Sequence, residues 1–153
     1  MDYLNDTLNV KMLINQSCRI PERSLVLAGV TDPAAKKIKA PLPDLSGTLK
    51  DVAAHDFVVL LSHQPRLAVP ASKYPVDLQL SGHTHGGMIA GFEHLVASFN
   101  EGFSSGIYAI GDMLLYVSNG TGIWSGFPIR LGKDSEITLL ICSPEKTEKK
   151  SKD

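Results

Sequence analysis

Cysteine is scarce in this chain. Cys18 and Cys142 are the only two in 153 residues, far apart and in no Cys-x-x-Cys spacing. That excludes a disulfide scaffold and fits a reducing compartment, or thiols under no constraint. An excess of charge is missing too. Fifteen Lys and Arg stand against sixteen Asp and Glu, a formal net charge of −1, which leaves no footprint for nucleic acid or an anionic membrane surface. No apolar run approaches the roughly 20 residues of a spanning helix. The first residues include Asp2 and Asp6 and lack the basic-then-apolar pattern of a signal peptide. The expectation is a soluble chain, cytoplasmic or membrane-peripheral, without internal repeats. What is present is ordinary: 43% hydrophobic and 20% charged residues, enough length and apolar content for one domain with a real core.

The apolar pattern predicts a succession of strands and short helices. Residues 1–9 suit one or two helical turns, and residues 10–18 and 24–30 read as adjacent strands separated by a turn at Pro21. The proline- and lysine-rich stretch 31–43 reads as a surface loop, with a short helical turn around Lys36-Lys37. Asp44 or Ser46 is placed to cap a helix through Ala54. Phe57-Val58-Val59-Leu60-Leu61 is a continuous apolar run, the pattern of a strand buried on both faces. Pro65 suits the first turn of a helix to about Lys73, and residues 76–80 form the next strand, so 57–80 is a βαβ unit with parallel strands. Residues 86–106 read as a long irregular loop of the kind that is usually functional. A hairpin follows, 106–110 and 113–118, turning at Gly111-Asp112. A last strand is expected at 137–142, then a disordered polar tail at 144–153. The predicted class is α/β.

Both parallel strands of the βαβ unit end in histidine. His63 follows the first, and His83 and His85 follow the second within Ser81-Gly82-His83-Thr84-His85-Gly86-Gly87. Side chains at i and i+2 of an extended segment point the same way, so His83 and His85 are expected to face one site. Imidazole nitrogen is a common metal ligand, and open α/β sheets bind ligands at the carboxyl ends of their strands. Three imidazoles at that edge therefore predict a metal site.

Leu61-Ser62-His63-Gln64-Pro65, the Gly82-His83-Thr84-His85-Gly86-Gly87 stretch, Ser118-Asn119-Gly120-Thr121-Gly122, and Pro128-Ile129-Arg130-Leu131-Gly132 with Glu136-Ile137 resemble the calcineurin-like metallophosphoesterases. Order and spacing agree from about Val10 to Ile141, most closely with a bacterial branch that includes membrane-associated phosphodiesterases. The resemblance implies a di-metal site in an α/β/β/α sandwich, with His63 and His83 on one divalent ion and His85 on the other. Two such ions, roughly 3.5–4 Å apart, hold a phosphate ester and activate a hydroxide for in-line attack. Mn, Fe, Zn and Mg all remain open as the metal. The substrate implied is a phosphate ester, lipid-derived esters included.

The chain departs from that family in its first-half motifs. Asp-x-His, Gly-Asp-x-x-Asp and Gly-Asn-His-Asp/Glu are absent, and with them the bridging carboxylate, an amide ligand and the histidine that assists the leaving group. Met88 stands where the branch usually has Gln. Residues 1–143 are therefore read as the C-terminal portion of such a domain, with a missing N-terminal half as a partner. Three neutral imidazoles without carboxylate charge hold fewer than two ions, or none, in this chain by itself. Arg130, and with it Arg66, is a candidate for binding the phosphate of a substrate. Asp32 follows a strand and is a candidate neighbour of the site. Asp77 and Asp112 fall away from it, His55 reads as a surface residue, and His94 lies in the long loop. Trp124 and Phe127 read as core or loop-packing residues, or as a lipid-contacting lip. A different class of function stays open: a non-catalytic metal-binding or interaction module built on His63, His83 and His85, since three imidazoles and a water suit zinc.

Overall fold

Five consecutive apolar residues at 57–61 have no polar side to show water, so they form a strand inside a sheet. The computed structural model describes residues 3–124 and 128–143, and in it this run is β3, Phe57–Leu61. Around it lie β1 (Gln16–Arg19), β2 (Leu25–Gly29), β4 (Leu78–Ser81), β5 (Gly106–Ile110) and β6 (Met113–Val117). They make one six-stranded mixed sheet in the order β1-β2-β3-β4-β6-β5. β2, β3, β4 and β6 run parallel, and β1 and β5 close the two edges antiparallel. The molecule is α/β, as the sequence predicts, and the βαβ unit and the hairpin at Gly111-Asp112 stand where expected.

The helices are short because their sequences are. Asp44 caps α1, Leu45–Leu49, by accepting the Gly47 amide at 2.8 Å. The crossover begins with a helical turn, Pro65–Leu67, and continues as α2, Ala68–Ala71. Asp32 caps a helical turn over Pro33–Ile38 through the Ala34 amide. A single helical turn covers Tyr3–Thr7.

Three expectations of secondary structure are corrected. The stretch 86–106 is not wholly irregular, since α3 spans Glu93–Ser98. Six residues are too few to display a 3.6-residue period. The expected strand at 137–142 is not formed. Ile137, Leu139 and Ile141 are 90%, 84% and 82% exposed, because no neighbouring strand among the described residues offers this segment a ladder. The expected strand over 10–18 begins only at Gln16. Phe127 and the expected tail at 144–153 lie outside the described residues.

Register divides the sheet into two unlike faces. Ala28 lies beside Leu60, Leu60 beside Gln79, and Gln79 beside Leu115. This face carries the buried core of Val26, Val58, Leu60, Leu115 and Val117, packed with Leu49, Ala68 and Ala71 from the helical segments. On the other face lie Phe57, Leu61, Leu114 and Ile107, so β3 is not buried on both faces as its apolar run predicts, because among the described residues no layer covers that side. These are apolar side chains at 40%, 40%, 46% and 66% exposure. An apolar sheet face left in water is an interaction surface.

Candidate metal centre

The parallel strands deliver their next residues to one edge. β2 leads to Asp32, β3 to His63, β4 to His83 and His85, and β6 to Asn119. The exits of β3 and β4 are stitched together. The Ser62 amide donates to Leu80 O at 3.1 Å, the Gly82 amide to His63 O at 3.0 Å, and the Ser81 hydroxyl to Ser62 O at 2.7 Å. The result brings the rings of His63 and His83 edge to face, with centroids 5.1 Å apart. Burial first, then the neighbouring His63, pushes the His83 imidazole below its ordinary value, against the opposing pull of Asp32. A neutral ring keeps a lone pair for a metal.

The histidine loop is not extended, which corrects the i, i+2 argument. β4 ends at Ser81, and His83, His85 and Met88 all hold left-handed backbone, with φ of 71°, 51° and 64°. Non-glycine residues in that region cost of order 1–3 kcal/mol each and gather at functional sites. Two glycines make the coil possible. A Cβ on Gly86 (φ +65°) would stand 2.1 Å from Asn119 Oδ1, and one on Gly87 (φ +83°) 2.9 Å from the Glu93 backbone. Thr84 ties the coil down by donating to Ser104 O at 2.6 Å. The buried Nδ1 of His85 is without a hydrogen-bond partner. Among the described residues no three His, Cys, Asp or Glu side chains gather into a group able to hold a metal ion. The residues present therefore do not complete a metal site. They offer a pair of imidazoles and one orphaned buried nitrogen.

Asp32 sits on the rim, with its Oδ1 accepting from Ala34 N and from Gln64 Nε2 at 2.7 Å each. Arg130 does not reach out toward a phosphate. Its guanidinium donates to Gly122 O at 2.6 Å, Asn119 O at 2.7 Å and His85 O at 3.3 Å. It clamps the loop after β6 to the histidine loop. Glu136 completes this network, accepting from the Asn119 amide at 2.9 Å and Asn119 Nδ2 at 3.0 Å. The Tyr116 hydroxyl that donates to Glu136 is the main reason its carboxyl lies below the usual range. Sequence reasoning missed this network, although Asn119, Arg130 and Glu136 all belong to the motifs that carried the family resemblance. Arg66 is exposed and lines a groove together with His83. Asp77 lies just before β4, at its far end, accepting from the Val58 amide at 2.6 Å, and Asp112 lies in the hairpin turn. His55 is exposed beside Asp56, and His94 is exposed on α3.

Histidines gathered at the carboxyl edge of parallel strands are compatible with a metal-using class of protein, and comparison gives the class its name. The chain is 38% identical over 141 residues to an uncharacterized metallophosphoesterase of Campylobacter jejuni, covering 92% of this chain and 37% of the relative. It is 31% identical to a zebrafish (Danio rerio) transmembrane protein with a metallophosphoesterase domain, covering 88% and 33%. It is 30% identical to the phosphodiesterase YaeI of Escherichia coli, covering 86% and 47%. No family model and no solved structure matches it. The chain belongs to the calcineurin-like metallophosphoesterases, a family of metal-dependent hydrolases. It spans between a third and a half of the length of these relatives. No helix among the described residues is long and apolar enough to cross a membrane.

Proposed function

We propose that this chain is the C-terminal portion, residues 1–143, of a phosphoesterase domain, and that it contributes His63 and His83 to one divalent ion and His85 to a second. The carboxylate ligands come from the portion of the relatives that this chain does not span. The observation that carries the reading is the pairing of His63 and His83 at the stitched ends of two parallel strands, beside a strained loop that holds His85. The open apolar face of the sheet supports the existence of a complementary half, since a second sheet packing on it would bury Phe57, Leu61, Leu114 and Ile107. The reaction of the joined protein is hydrolysis of a phosphate ester. The exposed Arg66 is the cation that would meet the phosphate, while Arg130 ties the histidine loop to the loop after β6.

The test is co-expression of this chain with the part of the Campylobacter jejuni relative outside the matched region. The expected outcome is a complex that hydrolyses bis(p-nitrophenyl) phosphate with Mn²⁺, with turnover falling at least a hundredfold on His85→Ala. Tight one-to-one zinc binding by the chain alone, with no turnover in the complex, would instead favour a non-catalytic metal-binding module.

A further inference from the structure

A groove of about 780 Å³ runs from His83 between the Pro33–Ile38 turn and α3. Its lining combines two chemistries that rarely meet at random. Met88, Phe99 and Trp124 supply apolar surface, and Lys36, Lys37 and Arg66 supply positive charge. Among the described residues no carboxylate lines the groove. The aromatic walls stand in the open, with Phe99 75% and Trp124 53% exposed. A site for a bare phosphate has no use for such surface, because exposed aromatic rings are unfavourable in water unless something covers them. A site for a neutral apolar molecule has no use for three cations, which repel one another until an anion arrives, and the nearby Asp32 carboxylate is bonded to Gln64 at the His83 end of the groove.

We infer that this groove binds an anionic amphiphile as a single molecule, its phosphate toward Arg66 and the lysines and its hydrocarbon part against Met88, Phe99 and Trp124. The inference rests on the phosphoesterase reading for the fate of that phosphate, and it adds the class of organic group the ester carries. Binding itself needs no metal, so the two can be tested apart. Charge complementarity selects the head, and apolar contact selects the tail. Affinity should therefore rise with chain length at constant charge and fall with salt at constant chain length.

Trp124 is the only tryptophan of the chain and reports the groove directly. The experiment is fluorescence titration of the full chain in EDTA with dihexanoyl phosphatidate below its micellar concentration. Dibutyryl phosphatidate, inorganic phosphate and phosphatidylglycerol vesicles serve as comparison probes. The expected result is a saturable blue shift, at least tenfold tighter for the six-carbon than for the four-carbon chains, with no shift from inorganic phosphate. The Lys36→Gln/Lys37→Gln pair should weaken binding at least fivefold and flatten its salt dependence, and Phe99→Ser should weaken it at least as much. Ile107→Ser, on the open sheet face, should leave it unchanged. Unfolding midpoints of all three variants should match the parent, which separates lost binding from lost fold. Equal affinity for the two chain lengths, a response to vesicles alone, or equal loss in Ile107→Ser would overturn the inference.

Discussion

At the scale of the residue, Gly86 shows how tightly the histidine loop is specified. Its left-handed backbone and the 2.1 Å approach that a Cβ would make to Asn119 act together, so Gly86→Ala must both strain φ and push Asn119 away from Glu136. The expected cost is about 2 kcal/mol or more, read as a lowered urea midpoint. Gly82 has no neighbour within 4 Å of such a Cβ and no positive φ, so Gly82→Ala should be nearly neutral and serves as the control. A large effect at Gly82 with none at Gly86 would contradict the packing described. His63, His83, His85, Asn119, Arg130 and Glu136 were all present in recognisable motifs. Their division of labour was not. Whether an arginine donates to a phosphate or to peptide carbonyls, as Arg130 does to six of them, depends on where loops 119–122 and 130–134 lie in space. No spacing in the chain encodes that.

At the scale of the element, legibility followed hydrophobic pattern. The run at 57–61, the hairpin turn at Gly111-Asp112 and the Asp44 cap carry strong local signals, and all three form. α3 was hidden because six residues give less than two turns of periodicity, and the strand expected at 137–142 failed because a strand needs a neighbour that a single segment cannot announce. One tie between elements is also invisible in sequence. Arg19 of β1 forms a two-pronged ion pair with Asp56, just before β3, with Nη2 at 2.6 Å from Oδ2. The hydrogen bonds from Arg19, opposed by burial and helped by the Ala53 amide, hold the Asp56 carboxyl at about 2 against an ordinary 3.8. A carboxyl depressed in the folded state stabilises the fold above its unfolded value and loses that contribution as pH falls through the folded one. The parent should therefore lose stability between pH 4 and pH 2 more steeply than Asp56→Asn, measured as urea midpoint against pH. Parallel curves for the two proteins would remove the ion pair from the account.

At the scale of the whole molecule, one face of the sheet is a packed core and the other is water-exposed hydrocarbon. The family resemblance anticipated a sandwich, and the mixed sheet with its helices is the α/β layer that such a sandwich contains. The open face also has a calorimetric consequence. Unfolding raises heat capacity in proportion to the apolar surface newly exposed, typically about 12–15 cal/mol/K per residue. Here Phe57, Leu61, Leu114 and Ile107 are already hydrated before unfolding begins. The chain alone should therefore show a heat-capacity change below that range and a flatter curve of stability against temperature. Docking a complementary half onto the face should restore both, so that scanning calorimetry with and without the partner would register the closing of the sheet as a gain in curvature.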